Sequence, residues 1–176
     1  MLKQITFAVL FAVLPGMLAA KVNSKIEYAV KGSFPGVDLI EAKRLILSTK
    51  EADLVQKHAG AKLGTKIYRY YRFVSKGRTV GYGVLIARKV RTKKATVLYA
   101  FEPSGRLKFA EIMAFGEPPE FIPNNSWMEQ FKARDEKAPL KMGADIPTIS
   151  GATLSARTIS VGARIARAIL KTVIVK

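Results

Sequence analysis

Residues 66–74 read KIYRYYRFV and residues 79–90 read TVGYGVLIARKV, and these two segments carry the strongest fold signal in the chain. Both are rich in β-branched and aromatic residues with charged side chains between them, which is typical of strands. The four residues that separate them, SKGR at 75–78, favour a turn. The pattern therefore predicts a β-hairpin.

The strand pattern continues downstream of this hairpin. A basic turn at residues 91–94 leads to an apolar run at 95–101, and Pro103-Ser104-Gly105 separates that run from another at 107–115. Consecutive strands joined by short turns form antiparallel sheets. We predict an α+β fold in which an antiparallel sheet of about four strands or more packs with helices in a single domain.

Two features of the predicted sheet have more than one interpretation. Gly81-Tyr82-Gly83 lies inside a strand, where glycines indicate a bend, a bulge or close approach by another group. The aromatic and basic residues at 68–73 could form a platform for nucleic acid. Alternating aromatic residues in a strand are more often divided between the core and the surface.

Upstream of the hairpin, residues 21–64 are predicted to be a helical region. Residues 37–47 carry apolar side chains at spacings that fit an amphipathic helix. Ser48 and Glu51 have the spacing of a capping box, which predicts a second helix over 52–58 that ends at Gly60. His58, the only histidine, is interpreted as a helix-end residue, because no second metal or haem ligand lies near it in the sequence.

Residues 1–20 have the layout of a secretory signal peptide. Lys3 precedes an apolar run at 5–14 that is too short to span a bilayer, and Leu18-Ala19-Ala20 offers small residues for cleavage. An uncleaved anchor is the alternative. The segment predicts export out of the cytoplasm, to the periplasm or another extracytoplasmic place.

Composition restricts the chemistry. The chain has no cysteine, which excludes disulfides, thiolate catalysis and iron–sulfur clusters. The net charge of +17 favours anionic partners, whether polyanions, membrane surfaces or acidic proteins. One histidine with no placed partner cannot form a catalytic triad, and nucleotide-binding glycine patterns are absent.

Residues 145–155, DIPTISGATLS, form the most distinctive polar segment. Hydroxyl residues surround a Gly-Ala pair, and the residues after it, 156–171, have the pattern of a helix. A helix start with free amide groups suits a phosphate group. An ordinary loop with a serine or threonine cap is the alternative.

The run from Thr148 to Ser155, TISGATLS, resembles the FMN-binding domain family. The family includes subunits of membrane redox complexes and small secreted proteins. In that family the last hydroxyl residue of a Ser/Thr-Gly-Ala-Thr segment carries FMN through a phosphoester bond, which an FAD-dependent flavin transferase makes. The resemblance implies that Thr153 is the acceptor.

Further segments extend the resemblance over roughly residues 79–172. The segments are Gly81-Tyr82-Gly83, the run GEPP at 116–119 and a short helix over 127–131. One position departs from the family, because Pro147 stands where an acidic residue is usual and Asp145 lies two positions earlier. The FMN-binding domain would span residues 65–176, and the implied cofactor-binding residues are Thr153, Ser150, Gly151, Ala152, Thr148, Ser155, Asp145, Tyr82 and Glu117. Met142 is a further candidate to line the slot for the flavin ring.

The resemblance implies an exported flavoprotein that carries covalent FMN and relays electrons between membrane and periplasmic redox partners. It implies an electron carrier more than an enzyme with its own substrate turnover, although a flavin-dependent reductase of a small acceptor fits the same motif. A flavin transferase would be one partner, and the basic charge favours an acidic redox partner, with peripheral association at the membrane as a further option. The alternative from composition is a basic module that binds anionic lipid, polymer or nucleic acid without flavin. Export makes nucleic acid an unexpected natural partner.

Overall fold

A computed structural model describes residues 22–175, and its centre is one five-stranded antiparallel sheet in the order β1-β2-β3-β4-β5. The strands are β1 (Leu39–Ile46), β2 (Ile67–Ser75), β3 (Arg78–Lys89), β4 (Lys94–Phe101) and β5 (Leu107–Phe115). Each strand pairs with the next along the chain, which makes the sheet a meander. The predicted α+β class is confirmed, and the four predicted strands are β2 to β5.

Helices cover both faces of this sheet. They are α1 (Ser24–Ser33), α2 (Thr49–Ala59), the short α3 (Asn125–Met128) and α4 (Thr153–Ile169), which continues into a π-helical turn at Leu170–Ile174. Because successive strand residues point to opposite faces, Val97, Tyr99 and Phe101 of β4 join a core cluster with α2 and α4. Leu98 and Ala100 join a second cluster with α1 on the other face. Strand β4 is therefore buried on both sides.

The predicted helix over residues 37–47 is wrong, because most of this segment forms β1. All eight residues of β1 pair in register with β2, from Leu39 opposite Val74 to Ile46 opposite Ile67. The local pattern fits either an amphipathic helix or an edge strand, and the backbone hydrogen bonds to β2 favour the strand. Strand β1 lies upstream of residue 64, in the region predicted to be helical, and it belongs to the same sheet as the strands downstream of that residue.

Other groups approach the glycines of β3 closely, which was one of the interpretations given for this segment. A Cβ added to Gly81 would lie 2.5 Å from the Phe34 ring of the α1 side, and one added to Gly83 would lie 2.8 Å from the Phe73 ring. The register between β2 and β3 also shifts after Phe73, which places a bulge beside Gly81. The two aromatic rings fill the space that side chains would need.

The helix ends follow local sequence signals. Ser48 and Glu51 form the predicted capping box of α2, and Gly60 ends this helix in the left-handed conformation. His58 is exposed in the last turn of α2, as predicted. The predicted signal peptide lies outside the described residues. Within residues 22–175, no helix is both long and apolar enough to cross a membrane.

Candidate functional site

The segment with the Ser-Gly-Ala-Thr motif forms the N-terminal end of α4. Gly151 has a φ of +78°, which permits a tight turn in which the Ala152 amide donates to the carbonyl of Ile149 at 3.3 Å. Thr153 is the first residue of α4, and its exposed hydroxyl donates to the same carbonyl at 3.1 Å. The motif thus presents the Thr153 oxygen at a helix start.

This helix start is not capped by a side chain. Ala152 occupies the N-cap position, where it offers no side-chain hydrogen bond, so the serine or threonine cap considered for this loop is not formed. Within residues 22–175, no acceptor pairs with the amides of Thr153, Leu154 or Ser155. The Ser155 side chain is 1% exposed, and its hydroxyl makes no hydrogen bond to another described residue. Unpaired donors and the positive end of the helix favour an anion here.

A cavity of about 240 Å³ lies against these groups. Its wall consists of residues 151–155 together with Arg91 and Phe121. The Arg91 guanidinium carbon lies 4.6 Å from the centre of the Phe121 ring, a cation–π contact that holds the guanidinium beside the cavity. Among the described residues that line the cavity, Arg91 carries a positive charge and none is a carboxylate, so the cavity favours an anionic ligand.

Glu117 builds the turn that carries Arg91. Its carboxylate accepts hydrogen bonds from the backbone amides of Lys93 at 2.7 Å, Arg91 at 2.8 Å and Thr92 at 2.6 Å. Led by the Lys93 amide, these bonds lower the pKa of Glu117 to about 2, although burial acts in the opposite direction. Glu117 was predicted to be a cofactor-binding residue, but its oxygens are committed to this turn and it does not line the cavity.

The surface around the cavity is basic. Arg91 and Lys93 in the turn between β3 and β4 are exposed, as are Lys89 and Lys94 at the strand ends that flank it. Arg157 in the first turns of α4 is exposed as well. The ion pairs of the described residues include none of these five side chains. Their charges are therefore available to attract an anionic ligand or partner.

Asp145 is not brought to this site. Its carboxylate accepts hydrogen bonds from the amides of Leu140 at 3.0 Å and Lys141 at 2.7 Å, which closes a loop. Burial lowers the pKa of Arg167, and this is the larger effect. The negative charge of Asp145 acts in the opposite direction and raises that pKa. Arg167 lies about 14 residues beyond Thr153 on α4, roughly 21 Å along the helix axis. The Asp145 carboxylate, three positions before the motif that begins at Thr148, thus orders a loop near the other end of α4.

Some of the other predicted residues line the cavity and the rest lie outside it. Gly151, Ala152 and Ser155 line the cavity with Thr153, whereas Thr148 and Ser150 are exposed outside it. Met142 does not line the cavity either. The carbonyl of Lys89, at the end of β3, accepts a hydrogen bond from the Thr158 hydroxyl of α4. Tyr82 pairs with Phe101 and lies about seven residues before Lys89, roughly 23 Å along the strand. Tyr82 therefore does not lie near Thr153.

Sequence reasoning missed Arg91 and Phe121. The basic turn at 91–94 was visible in the sequence, but the sequence does not reveal that the N-terminal end of α4 lies beside this turn. No protein-family model matches this chain, and no curated protein matches its sequence. The site is therefore interpreted from its motif and its geometry.

Proposed function

We propose that this protein is an exported flavoprotein that carries FMN in a phosphoester bond to Thr153 and relays electrons between a membrane donor and an extracytoplasmic acceptor. The observation that carries the proposal is the exposed Thr153 hydroxyl, which lies at the uncapped start of α4 beside the Arg91 cavity. The motif resemblance independently implies the same residue as acceptor.

The residues around Thr153 fit an FMN phosphate. Three unpaired amides and one guanidinium face a cavity that no carboxylate lines. A phosphodiester at this position keeps one negative charge, which the helix start and Arg91 stabilise. When bound, FMN supplies reversible one- and two-electron transfer, and the protein sets its potential and its exposure.

Among residues 22–175, no side chain is placed to act as an activating base for the Thr153 hydroxyl. The hydroxyl donates to a backbone carbonyl, which cannot remove its proton, and no histidine or carboxylate lines the cavity. We therefore assign the activation to the flavin transferase. The transferase forms a bond between Thr153 Oγ1 and the FMN phosphorus of FAD, AMP leaves, and a base of the transferase takes the threonine proton.

The size of the cavity favours an electron carrier over an enzyme. A volume of about 240 Å³ is below the usual range of roughly 300–1,000 Å³ for pockets that enclose a whole ligand. The residues that line it would hold FMN by its phosphate end, and a cavity of this size leaves no enclosed place for a second substrate.

The attachment is tested by co-expression with a flavin transferase, followed by denaturation and intact-mass measurement. The parent protein should retain the FMN adduct after denaturation, and Thr153→Ala should lose it completely. Thr148→Ala, which changes an exposed threonine of the same motif outside the cavity, should retain the adduct. An adduct on Thr153→Ala, or none on the parent protein, would refute the proposed acceptor.

The basic module that binds without flavin is the second candidate, and the exposed cations around the cavity favour it. The aromatic platform gives it no support, because Tyr68, Tyr71 and Phe73 of β2 are buried in the core. Salt-sensitive binding of DNA or anionic vesicles by protein that cannot be loaded with FMN would favour this candidate.

A further inference from the structure

A second cavity, the α2–α4 cavity, lies away from Thr153 and has a volume of about 470 Å³. It is formed by the last turn of α2, the loop at residues 136–140 and the C-terminal half of α4. It shares no lining residue with the Thr153 cavity. Its volume lies within the range of roughly 300–1,000 Å³ that is usual for small-molecule sites.

Arg164 lines this cavity without a protein partner. Its side chain makes no hydrogen bond or ion pair with any residue in 22–175, and its Nε atom is buried and unpaired. A buried N–H group without an acceptor is costly, and the Nε–H of Arg164 is such a group. An oxyanion in the cavity would supply the missing acceptors.

Arg167 adds a second fixed positive charge one helical turn away. Its two terminal nitrogens donate to the carbonyls of Ala138 at 2.6 Å and Asp135 at 2.8 Å, while its buried Nε has no partner. Burial lowers the pKa of Arg167, and the nearby carboxylates of Asp145, Asp135 and Glu136 raise it. An arginine remains protonated under such shifts. Arg167 therefore anchors the loop that forms one wall, and the nearby carboxylates offset part of its charge.

The remaining walls combine one ion pair with apolar surface. Lys171 Nζ lies 3.7 Å from the Glu136 carboxylate, so these two charges offset each other. The imidazole of His58 lies 3.1 Å from the Thr172 hydroxyl at the rim. Ala138, Pro139, Leu140 and Ala168 contribute apolar surface. The cavity thus offers the unpaired guanidinium of Arg164 beside an apolar wall.

We propose that the α2–α4 cavity binds a small organic oxyanion, a carboxylate or phosphate monoester, that bears an apolar group. The oxyanion contacts Arg164 and the apolar group packs on the 138–140 loop. The unpaired guanidinium of Arg164 fits two oxygens of one anion in a fork geometry. The proposal does not rest on the presence of FMN, because the two cavities are lined by different residues.

Isothermal titration calorimetry with octanoate and octyl phosphate tests the site, on FMN-loaded protein and on Thr153→Ala. At least one of the two probes should bind at one per chain, and 1-octanol and acetate should each bind at least tenfold more weakly than that probe. The comparison between the two probes identifies the preferred oxyanion. The affinity for the probes should be equal on FMN-loaded protein and on Thr153→Ala. Binding to the α2–α4 cavity is thereby tested separately from FMN attachment.

Arg164→Gln provides the decisive variant, with Arg157→Gln as its matched control. Arg157 lies on the same helix and carries the same charge, but it is exposed and does not line the α2–α4 cavity. Arg164→Gln should weaken binding of the preferred probe at least tenfold, whereas Arg157→Gln should change it less than twofold. Thermal unfolding without ligand checks that both variants fold. Equal losses in the two variants, unchanged binding in Arg164→Gln, or binding of neither probe to the parent protein would overturn the proposal.

Discussion

At the scale of single residues, Glu117 determines the shape of the turn that carries Arg91. A free carboxylate prefers water, yet this one is 7% exposed and accepts three backbone hydrogen bonds. These bonds satisfy amides of the turn that would otherwise lack partners. Glu117 thus affects the candidate site without contacting it, because it fixes the backbone from which Arg91 projects.

Replacing Glu117 by Gln should destabilise the fold in a manner that depends on pH. The folded-state pKa of about 2 lies below the ordinary value of 4.5, so this carboxylate contributes stability above pH 4.5 and loses that contribution as the pH falls toward 2. The difference in unfolding free energy between parent and Glu117→Gln should therefore be constant near neutral pH and shrink between pH 4.5 and 2. Urea unfolding at a series of pH values measures it.

Glu120→Gln is the matched control for this experiment. Glu120 is exposed in the next turn, and its side chain makes no hydrogen bond or ion pair with a described residue. Its replacement should leave the pH dependence of stability close to that of the parent protein. A difference for Glu117→Gln that did not change between pH 7 and pH 2 would contradict the assigned role.

Arg91→Gln should slow the loading of FMN onto Thr153 by at least several-fold. Within residues 22–175, the guanidinium is the only side-chain cation that lines the cavity, and it would stabilise the phosphate of the proposed adduct. Lys93→Gln removes the same charge from the same turn at a position outside the cavity, so its effect should be smaller. A time course with purified transferase and FAD, followed by intact mass, compares them. Equal slowing by both would indicate a general effect of charge.

Four residues that line this cavity could be named from the sequence, Gly151, Ala152, Thr153 and Ser155, whereas Arg91 and Phe121 could not. Thr153 belongs to a contiguous motif, so short-range information is sufficient to find it. Asp145 and Glu117 are carboxylates close to recognisable segments, but both are used by backbone amides. The amides that bind Asp145 are four and five residues away, and those that bind Glu117 belong to a turn that is 24 to 26 residues away. Arg91 and Phe121 reach the cavity through tertiary packing, for which a single sequence contains no local signal.

At the scale of elements, α4 crosses the sheet closely because Gly162 has no side chain. The Tyr99 ring of β4 occupies the space beside it, and the Tyr99 hydroxyl donates to the carbonyl of Ile159 at 2.7 Å. A Cβ on Gly162 would collide with that hydroxyl. The contact holds α4, and therefore Thr153 at its start, in a fixed place over β3 and β4.

Gly162→Ala should destabilise the protein although alanine is the better helix former. The gain in helix propensity is about 1 kcal/mol at most, whereas forcing a methyl group into a packed contact costs about 1–3 kcal/mol. Gly32→Ala in α1 is the control, because a Cβ there would have no heavy atom within 4 Å. Gly32→Ala should be neutral or stabilising. Chemical unfolding compares the two, and a stabilised Gly162→Ala would show that the crossing is looser than described.

The wrong prediction for β1 shows where local patterns fail. Leu39, Ile40, Leu45 and Ile46 fit one side of a helix as well as an edge strand. The partner that decides between them is β2, where Arg72 stands opposite Glu41 and pairs with its carboxylate at 2.8 Å. The β2 to β5 meander, in contrast, was predictable because its short turns place each strand beside the next.

At the scale of the whole molecule, the turns of the meander alternate between the two ends of the sheet. The Thr153 cavity lies at the end that carries the basic turn between β3 and β4. The turn between β2 and β3, with Lys76 and Arg78, lies at the opposite end. If the protein relays electrons as proposed, the net charge of +17 would act on a redox partner mainly through the cations of the cavity end, since charges beyond about 10 Å are screened at 0.1 M salt.

This arrangement predicts that the chemically reduced, FMN-loaded protein reacts faster with an anionic oxidant than with a cationic one. Stopped-flow oxidation by ferricyanide should slow as potassium chloride is raised, whereas oxidation by hexaammineruthenium(III) should accelerate. Electrostatic steering changes association rates by about 10–1,000-fold at low salt. Near 1 M salt, where the screening length is about 3 Å, the electrostatic part of both rates should be lost.

Two double variants locate the charges responsible. Lys93→Gln with Lys94→Gln removes two exposed cations beside the Thr153 cavity, and Lys76→Gln with Arg78→Gln removes two exposed cations at the opposite end of the sheet. Both variants lower the net charge equally, so an effect of total charge would change their salt dependence equally. We expect the ferricyanide rate of the first variant to lose most of its salt dependence and that of the second to keep it. The reverse order would place the electron-exchange surface away from Thr153.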